Sequence, residues 1–260
     1  LTCTMGFVSI KDISFSYDTN QTIIKNISWD IPKGEFHTLI GRSGCGKTTF
    51  LKIVAGLISP TSGKISIDGT TVSTPSHRAG FVFQTPTLLE WLSVIDNVLL
   101  PLTISNKKKP EYVDLGLDIL ASMGLKKHTH KYPNELSGGQ QSRVSIARAL
   151  ITEPSLLLMD EPFASLDAMT RQDLQIDLLR LCMKRKTTVL FITHDISEAV
   201  YLSDKIALMN SGEIQQNFPI RIDKPRKNEI RYSASFNNLC SDIHDCLKVY
   251  HGQTDEAKSK

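Results

Sequence analysis

Residues 36–55 constrain the fold more than any other stretch, because they combine a strand, a glycine-rich loop and a helix. The run begins with apolar residues that predict a buried strand. The pattern G-x-x-x-x-G-K-[ST] then extends from Gly41 to Thr48, and apolar residues at helical spacing follow it. In this arrangement backbone N–H groups surround the phosphates of a nucleotide. The sequence therefore predicts a nucleoside triphosphate site.

The residues of this loop have distinct candidate roles. Its glycines allow a sharp turn and a close approach of the backbone to an anion. Lys47 is placed to reach the outer phosphates, the Thr48 hydroxyl is a candidate Mg²⁺ ligand, and the helix N-terminus favours negative charge. A chance glycine loop before a core helix would not require the whole pattern. The candidate nucleotide-contacting residues are Gly41, Arg42, Ser43, Gly44, Cys45, Gly46, Lys47, Thr48 and Thr49.

Length and composition place the chain among ordinary globular proteins. Its 260 residues are enough to bury a sizeable core, and a net charge of +3 is too weak to indicate a nucleic-acid binder. The sequence lacks a signal peptide and any run near the roughly 18 apolar residues of a membrane span, so we expect a cytoplasmic chain with reduced thiols. Met5 is a candidate natural start, with residues 1–4 as an upstream extension or a cloning remnant.

The remaining pattern predicts an α/β fold with two additional lobes. Period-2 alternation over residues 7–36 predicts half-exposed antiparallel strands. Strands are also predicted at 63–69 and 80–84, and helical spacing dominates from about 86 to 152. Within that helical lobe Lys107–Lys109 predict a solvated loop, and four apolar side chains at helical spacing predict core positions. These four are Val113, Leu117, Leu120 and Met123.

Polar side chains follow three of the predicted buried strands. Ligands bind beyond the carboxyl ends of strands in open α/β sheets, so Gln84 is expected to face the γ-phosphate and Mg²⁺. Asp160 is suited to hold Mg²⁺, and Glu161 to orient an attacking water or accept its proton. His194 is a candidate γ-phosphate contact, with a satisfied core histidine as the alternative.

Two further features are candidates for nucleotide contact. Ser137 can cap a helix whose first turn contains Gly138, Gly139 and Gln140, which predicts a second helix N-terminus built to accept an anion. Tyr17 ends a predicted strand just before a turn. Its ring is a candidate surface for stacking an adenine base, and a half-buried sheet tyrosine is the alternative.

Together these motifs resemble the ATP-binding-cassette (ABC) ATPase family, over about residues 6–215 and in the family's order. The resemblance implies a P-loop NTPase with a RecA-like core, an N-terminal antiparallel β lobe and a helical lobe inserted at about 86–152. ATP and Mg²⁺ are the implied cofactors, and residues 216–260 are left as an extension of unknown role. The matching elements are Tyr17 (stacking), Gly41–Thr48 (phosphate loop), Gln84 (Q-loop), Leu136–Gln140 (signature), Leu156–Asp160 (Walker B), Glu161 (catalytic base), Ser165–Asp167 (D-loop) and His194 (switch histidine).

The resemblance also implies a homodimer that works on a partner. Two chains are expected to meet head to tail, so that each ATP lies between the Lys47 loop of one chain and Ser137-Gly138-Gly139 of the other. Binding of ATP would close the dimer, and hydrolysis through Glu161 and His194 would reopen it. Such a cycle changes no substrate other than ATP.

Residues 83–98 and 163–171 resemble bacterial importers of the nitrate/sulfonate/taurine group, although that group usually has proline where Glu90 stands and often glycine where Ala164 stands. Importers of thiamine-precursor pyrimidines share much of this pattern and remain an alternative. In the group this region grips the membrane permease, which implies a peripheral subunit at the cytoplasmic face of the bacterial inner membrane, linked indirectly to a solute-binding protein. The candidate groove residues are Leu88, Leu89, Trp91 and Val94, with a position in the core as the alternative for each.

Two other classes of protein share parts of this pattern. ABC ATPases that act on nucleic acid or the ribosome usually carry two cassettes or long inserts, whereas only about 90 residues separate Lys47 from Ser137 here. A small-molecule kinase would have a substrate lid in place of Ser137-Gly138-Gly139. The sequence therefore favours an importer ATPase.

Overall fold

The computed structural model describes residues 6–18, 21–105 and 110–258. The predictions for residues 1–4 and for Lys107–Lys109 lie outside these ranges. The described chain forms two compact units, one from the residues up to 74 together with those from 190 onward, the other from residues 75–189. They are called the loop unit and the helical unit below.

The elements in chain order are β1 (Val8–Ser16), β2 (Thr22–Ile31), β3 (Phe36–Ile40), α1 (Lys47–Val54), β4 (Ser62–Ile67), β5 (Thr70–Thr71), β6 (Ala79–Val82), α2 (Val94–Ile104), α3 (Pro110–Ser122), α4 (Gly138–Leu150), β7 (Leu156–Asp160), α5 (Ala168–Arg185), β8 (Thr188–Thr193), α6 (Ile196–Leu202), β9 (Lys205–Asn210), β10 (Glu213–Pro219) and α7 (Ala234–Lys258). Short 3₁₀ turns occupy Lys126–His128, Pro133–Glu135 and Asn228–Tyr232.

The loop unit contains the antiparallel sheet that the alternating N-terminal pattern predicts. Its strand order is β2-β1-β4-β5, and Val8 of β1 pairs with Ile31 of β2 on one side and with Ile67 of β4 on the other. Alternate residues of β2 are buried, including Trp29 and Ile31. The prediction of half-exposed antiparallel strands is confirmed.

The phosphate-loop strand β3 lies in a second, largely buried sheet of the loop unit. Every residue of β3 is buried, and it pairs in parallel with β9, with Ile40 opposite Leu208. The strands of this unit follow the order β10-β9-β3-β8. The ring of Phe36 packs edge-on against Phe191 of β8 at 5.9 Å. This packing holds the first residue of β3, while the pairing of Ile40 with Leu208 holds its last residue, next to Gly41.

The helical unit joins the parallel pair β6–β7 to the helices α2, α3, α4 and α5. The predicted mixed α/β fold with an antiparallel lobe and helical elements is confirmed. The prediction for Leu117 is wrong, because this side chain is exposed while Gly116, Ile119 and Leu120 form the buried stripe of α3. A Cβ atom on Gly116 would lie only 3.0 Å from Cδ1 of Ile95. Because glycine lacks this atom, helix α2 packs closely against the face of α3 that contains Gly116.

The strand before Gln84 is shorter than predicted. Strand β6 ends at Val82, so Phe83 and Gln84 lie in an exposed loop rather than at the strand's last positions. The side chain of Arg148 explains this departure, because its guanidinium donates to the carbonyl oxygens of Pro86 and Thr87, each at 2.9 Å. These contacts draw the chain toward helix α4 and away from the sheet.

Candidate nucleotide site

The phosphate loop is shaped by glycines at positions where no side chain fits. A Cβ atom on Gly41 would lie 2.3 Å from the backbone oxygen of Met209, a clash with backbone that cannot relax easily. Gly46 caps helix α1 in a left-handed conformation with φ of 106°, which L side chains rarely adopt. The residue that caps α1 therefore has no side chain, which suits the approach of a phosphate to the N-terminus of the helix.

Lys47 directs its charge back across the loop. Its side chain is only 6% exposed, and Nζ donates to the carbonyl oxygens of Gly41 and Arg42, each at 2.8 Å. The ammonium group is thus held at the inner surface of the loop that the sequence assigns to phosphates. Cys45 is buried beside it, and burial raises the pKa of that thiol, so it stays protonated. The exposed residues of the loop are Arg42, Ser43, Gly44 and Thr48.

Tyr17 lies next to the start of helix α1. Its hydroxyl is 3.5 Å from Oγ1 of Thr49, and its ring packs edge-on against Phe15 at 4.8 Å. The side chain is 62% exposed, so the alternative of a half-buried sheet tyrosine is wrong. An open aromatic face beside the phosphate loop is the surface that base stacking needs.

His194 is exposed immediately after strand β8, so the alternative of a core histidine is also wrong. The residues on either side of it are held by hydrogen bonds. Asp195 caps helix α6 by accepting from the backbone N–H groups of Ser197 and Glu198 at 2.8 and 3.2 Å. Thr193 donates its hydroxyl to Glu198 at 2.7 Å. The signal for this cap, Asp-x-x-Glu before an apolar run, was available in the sequence but was not used.

In the helical unit, Asp160 and Glu161 end the buried strand β7 as predicted. Asp160 is buried, and Glu161 follows it in a left-handed conformation with φ of 44°, unusual for a residue with a side chain. The parallel register pairs Val82 with Met159, so the loop carrying Gln84 leaves the sheet at the same edge as the two carboxylates. These three predicted site residues are brought to one edge of one sheet.

Arg148 is a site-supporting residue that sequence reasoning missed. Besides its two backbone contacts it donates to Oγ1 of Thr87 at 3.0 Å, and burial lowers the pKa of its guanidinium. It fixes the loop that carries Gln84. Its position in an apolar-periodic helix carries no signal for this role, because its acceptors lie some 60 residues away in sequence.

The signature segment forms a complete helix cap. Ser137 accepts from the backbone N–H of Gln140 at 3.3 Å, and the Gln140 side chain accepts from the N–H of Ser137 at 3.0 Å. The predicted N-cap is confirmed. Gly138 faces open space, whereas a Cβ on Gly139 would lie 2.5 Å from Cγ2 of Thr170 in helix α5.

The segment after Glu161 is also capped. Asp167 accepts from the N–H of Thr170 at 3.0 Å at the start of α5, and hydrogen bonds from Thr170 hold the pKa of Asp167 below its ordinary value. Arg171 donates to the carbonyl of Leu166 at 2.9 Å. Ser165 remains exposed between them.

The predicted partner groove stays a prediction, although Leu89, one of its four candidate residues, lines a cavity. A mainly apolar cavity of about 850 Å³ opens on the helical unit, with Phe83 and Leu89 among its lining residues. Val94 is fully buried in the core because it begins helix α2, so its assignment to the groove is wrong. Trp91 is 73% exposed outside that lining, and Leu88 is half-buried.

Comparison with known proteins gives consistent matches. The family model described as ABC transporter matches residues 24–164. The chain is 44% identical to the aliphatic sulfonates import ATP-binding protein SsuB of Bacillus thuringiensis, over 89% of this chain and 92% of that protein. It is 39% identical to the bicarbonate transport ATP-binding protein CmpD of Synechocystis, over 86% and 82% respectively.

A solved structure is similar as well. It is described as a dimeric post-hydrolysis state of the ATP-binding cassette MJ0796 bound to ADP and Pi. It matches with a TM-score of 0.74 and 32% identity, over 83% of this chain and all of that one. The phosphate loop, the acidic strand end and the capped signature described above lie within residues 24–164, which the family model matches. The chain therefore belongs to the ABC transporter family, as one of its ATP-binding, ATP-hydrolysing cassettes.

Proposed function

We propose that this chain powers uptake of a small organic anion, of the aliphatic sulfonate class, as the ATPase subunit of a bacterial ABC importer. The observation that carries the proposal is the 44% identity with a sulfonate importer subunit over 89% of the chain. An importer of a thiamine-precursor pyrimidine and a soluble, non-transport ABC ATPase are the alternatives.

The nucleotide is proposed to lie on the phosphate loop, with its base on Tyr17 and its outer phosphates at Lys47. The candidate Mg²⁺ ligands are the Thr48 hydroxyl in the loop unit and, in the helical unit, the Gln84 amide oxygen and the Asp160 carboxylate, because Mg²⁺ prefers hard oxygen ligands. Among the described residues no cluster of three His, Cys, Asp or Glu side chains was found that could hold a metal.

Hydrolysis is proposed to proceed by attack of a water oriented by Glu161, which accepts its proton. His194 donates a hydrogen bond to the γ-phosphate, and Gln84 orients the water and the metal. Bound Mg²⁺ would neutralise charge on the phosphates. The positive φ of Glu161 supports this role, because strained residues with side chains are concentrated at functional sites.

Two chains are proposed to form a head-to-tail dimer, with Ser137, Gly138, Gly139 and Gln140 contacting the partner chain's ATP. The permease is proposed to contact the 850 Å³ cavity and the exposed Trp91. The subunit would then act at the cytoplasmic face of the membrane. A solute-binding protein would act through the permease. A helix both long enough and apolar enough to cross a membrane was not found among the described residues.

The test is ATP hydrolysis by this chain assembled with its membrane subunits and solute-binding protein in lipid vesicles. We expect aliphatic sulfonates to stimulate hydrolysis and thiamine-precursor pyrimidines to leave it unchanged. Lys47→Ala should abolish the stimulated rate, whereas Lys127→Ala, which removes an exposed charge, should preserve it. If the pyrimidine stimulates hydrolysis and the sulfonates do not, the transported solute is a thiamine precursor. If the rate of ATP hydrolysis is the same with and without the membrane subunits, the chain is a soluble ATPase.

A further inference from the structure

A buried arginine of the C-terminal extension caps the end of helix α6. Arg226 is 6% exposed, and its guanidinium donates to the carbonyl oxygens of Val200, Tyr201 and Ser203 at 3.3, 2.7 and 2.8 Å. The hydroxyl of Tyr201 donates in return to the Arg226 carbonyl at 3.1 Å. These acceptors include the last carbonyls of α6, where a cation is stabilised by the helix dipole.

A second arginine of the extension, Arg231, packs along the same helix and contacts its first turn. The guanidinium carbon of Arg231 lies 3.6 Å from the ring centroid of Tyr201, and Nη1 is 3.5 Å from Oγ of Ser197. Burial lowers the pKa of Arg231, while the nearby carboxylates of Asp195 and Glu198 favour its charged form. Stacking on an aromatic face and planar donation are properties of arginine that lysine does not share.

Helix α6 is directly connected to His194. It begins two residues after the histidine, and its N-cap is the adjacent residue Asp195. The backbone N–H of Asp195 donates to Oγ1 of Thr193 at 3.0 Å, and that hydroxyl donates to Glu198. The residues on both sides of His194 are therefore bonded to one another and to the first turn of α6. A rotation of α6 would move the histidine with it.

We propose that Arg226 and Arg231 are positioning residues for His194. The C-terminal extension is a clamp that holds α6 at both ends and thereby fixes the direction of the histidine toward the γ-phosphate. Helix α7 anchors the clamp through Phe236 and Ile243, both buried. This inference rests on the proposed role of His194 in hydrolysis. It assigns a function to the extension, for which sequence reasoning gave none.

The first test is Arg231→Gln in the full chain, because Arg231 is only partly buried and the change is tolerable for folding. We expect kcat for ATP hydrolysis to fall about tenfold with KM and ATP affinity within twofold, since misplaced reacting groups lower the rate by up to about a hundredfold. Arg231→Lys should recover only part of kcat. The matched control is Arg221→Gln, an exposed arginine of the same extension, which should leave kcat unchanged.

A double-mutant cycle with His194→Ala decides whether Arg231 acts through the histidine. We expect Arg231→Gln to cause no further loss of kcat in the His194→Ala background, because the clamp then positions no imidazole. If the two losses multiply, or if Arg231→Gln alone retains the wild-type kcat, the proposal is wrong. If His194→Ala alone retains the wild-type kcat, the proposed role of His194 fails first and the clamp proposal fails with it.

Hydrogen exchange distinguishes a local loosening of α6 in Arg231→Gln from a loss of overall stability. In Arg231→Gln the amides of α6 should exchange faster while those of α1 retain their wild-type protection, because only the clamped helix loosens. Equal loss of protection in both helices would show global destabilisation instead of lost positioning and would overturn the proposal.

Discussion

His37 is a buried titratable side chain in the strand that leads to the phosphate loop. It is 1% exposed, and its Nε2 lies 2.8 Å from a carboxylate oxygen of Glu35. Its Nδ1 was found without a hydrogen-bond partner among the described residues, and the ring lies 5.6 Å from that of Trp29. Burial lowers the pKa of His37 despite the raising effect of Glu35. The folded protein therefore favours the neutral ring.

This shift predicts an acid-sensitive fold. The unfolded chain binds a proton at His37 near its ordinary pKa of about 6.5, whereas the folded chain does so only at lower pH. The free energy of unfolding should therefore fall as pH drops below about 6.5, by at most about 1.4 kcal/mol per pH unit for this group. In His37→Phe that component should be absent. Urea unfolding between pH 7.5 and 5 measures the difference.

The control is His77→Gln, which removes an exposed histidine from the same chain. Its unfolding free energy should depend on pH as that of the wild type does. A His37→Phe profile parallel to the wild-type profile over this pH range would show that the buried ring does not cause the acid sensitivity.

At the scale of secondary structure, one glycine of the signature segment lies at a close contact between helices α4 and α5. The space beside Gly139 is filled by Cγ2 of Thr170, while the space beside the preceding Gly138 is open. Adjacent glycines in one helical turn thus have different reasons to lack a side chain. Gly139 allows close packing of α5, and Gly138 exposes backbone N–H groups.

Gly139→Ala should therefore lower the melting temperature by several degrees, because a contact of 2.5 Å forces the two helices apart. Gly138→Ala is the matched control and should melt at or slightly above the wild-type temperature, since alanine favours a helix over glycine by about 1 kcal/mol. Adding Thr170→Ser to Gly139→Ala removes the clashing methyl group and should restore stability. Equal melting temperatures for both alanine variants would disprove the packing account.

The sequence was sufficient for features that depend on local pattern. The phosphate loop, the carboxylates ending β7 and the Ser137 cap all follow from spacing and residue type along one short segment. The errors concern contacts between segments. Gln84 was placed at the end of a strand because nothing in its neighbourhood reveals Arg148, and Leu117 was placed in the core because helical periodicity does not show which stripe faces α2.

The C-terminal extension shows the same limit more clearly. The basic run around Arg226 has the composition of a solvated loop, and only the fold brings it to the last carbonyls of α6. Arginines near a helix C-terminus are informative in sequence when they lie on that helix, and here they lie about 25 residues further along the chain. Such pairings depend on tertiary structure, which single-sequence patterns do not specify.

At the scale of the whole molecule, one chain carries two helix N-termini suited to anions, at α1 in the loop unit and at α4 in the helical unit. Helix α1 starts with a bare glycine cap, while the capping box of α4 leaves Gly138 open to solvent. If each ATP contacts α1 of one chain and α4 of a second chain, ATP binding and dimer formation are linked equilibria. Slow hydrolysis should then trap the dimer.

Glu161→Gln should accordingly bind ATP, hydrolyse it at least about a hundredfold more slowly because general base catalysis is lost, and elute as a dimer only when ATP is present. Adding Ser137→Arg to the same chain should abolish the dimer by placing a bulky cation at the interface, and at protein concentrations too low for either variant to dimerise the two should bind ATP with equal affinity in equilibrium dialysis. Ala121→Arg, an exposed position at the end of α3, is the control for the added charge and should leave the dimer intact. Weaker ATP binding by the Ser137→Arg monomer would mean that both helix N-termini serve the same chain's nucleotide, and the shared site would then be wrong.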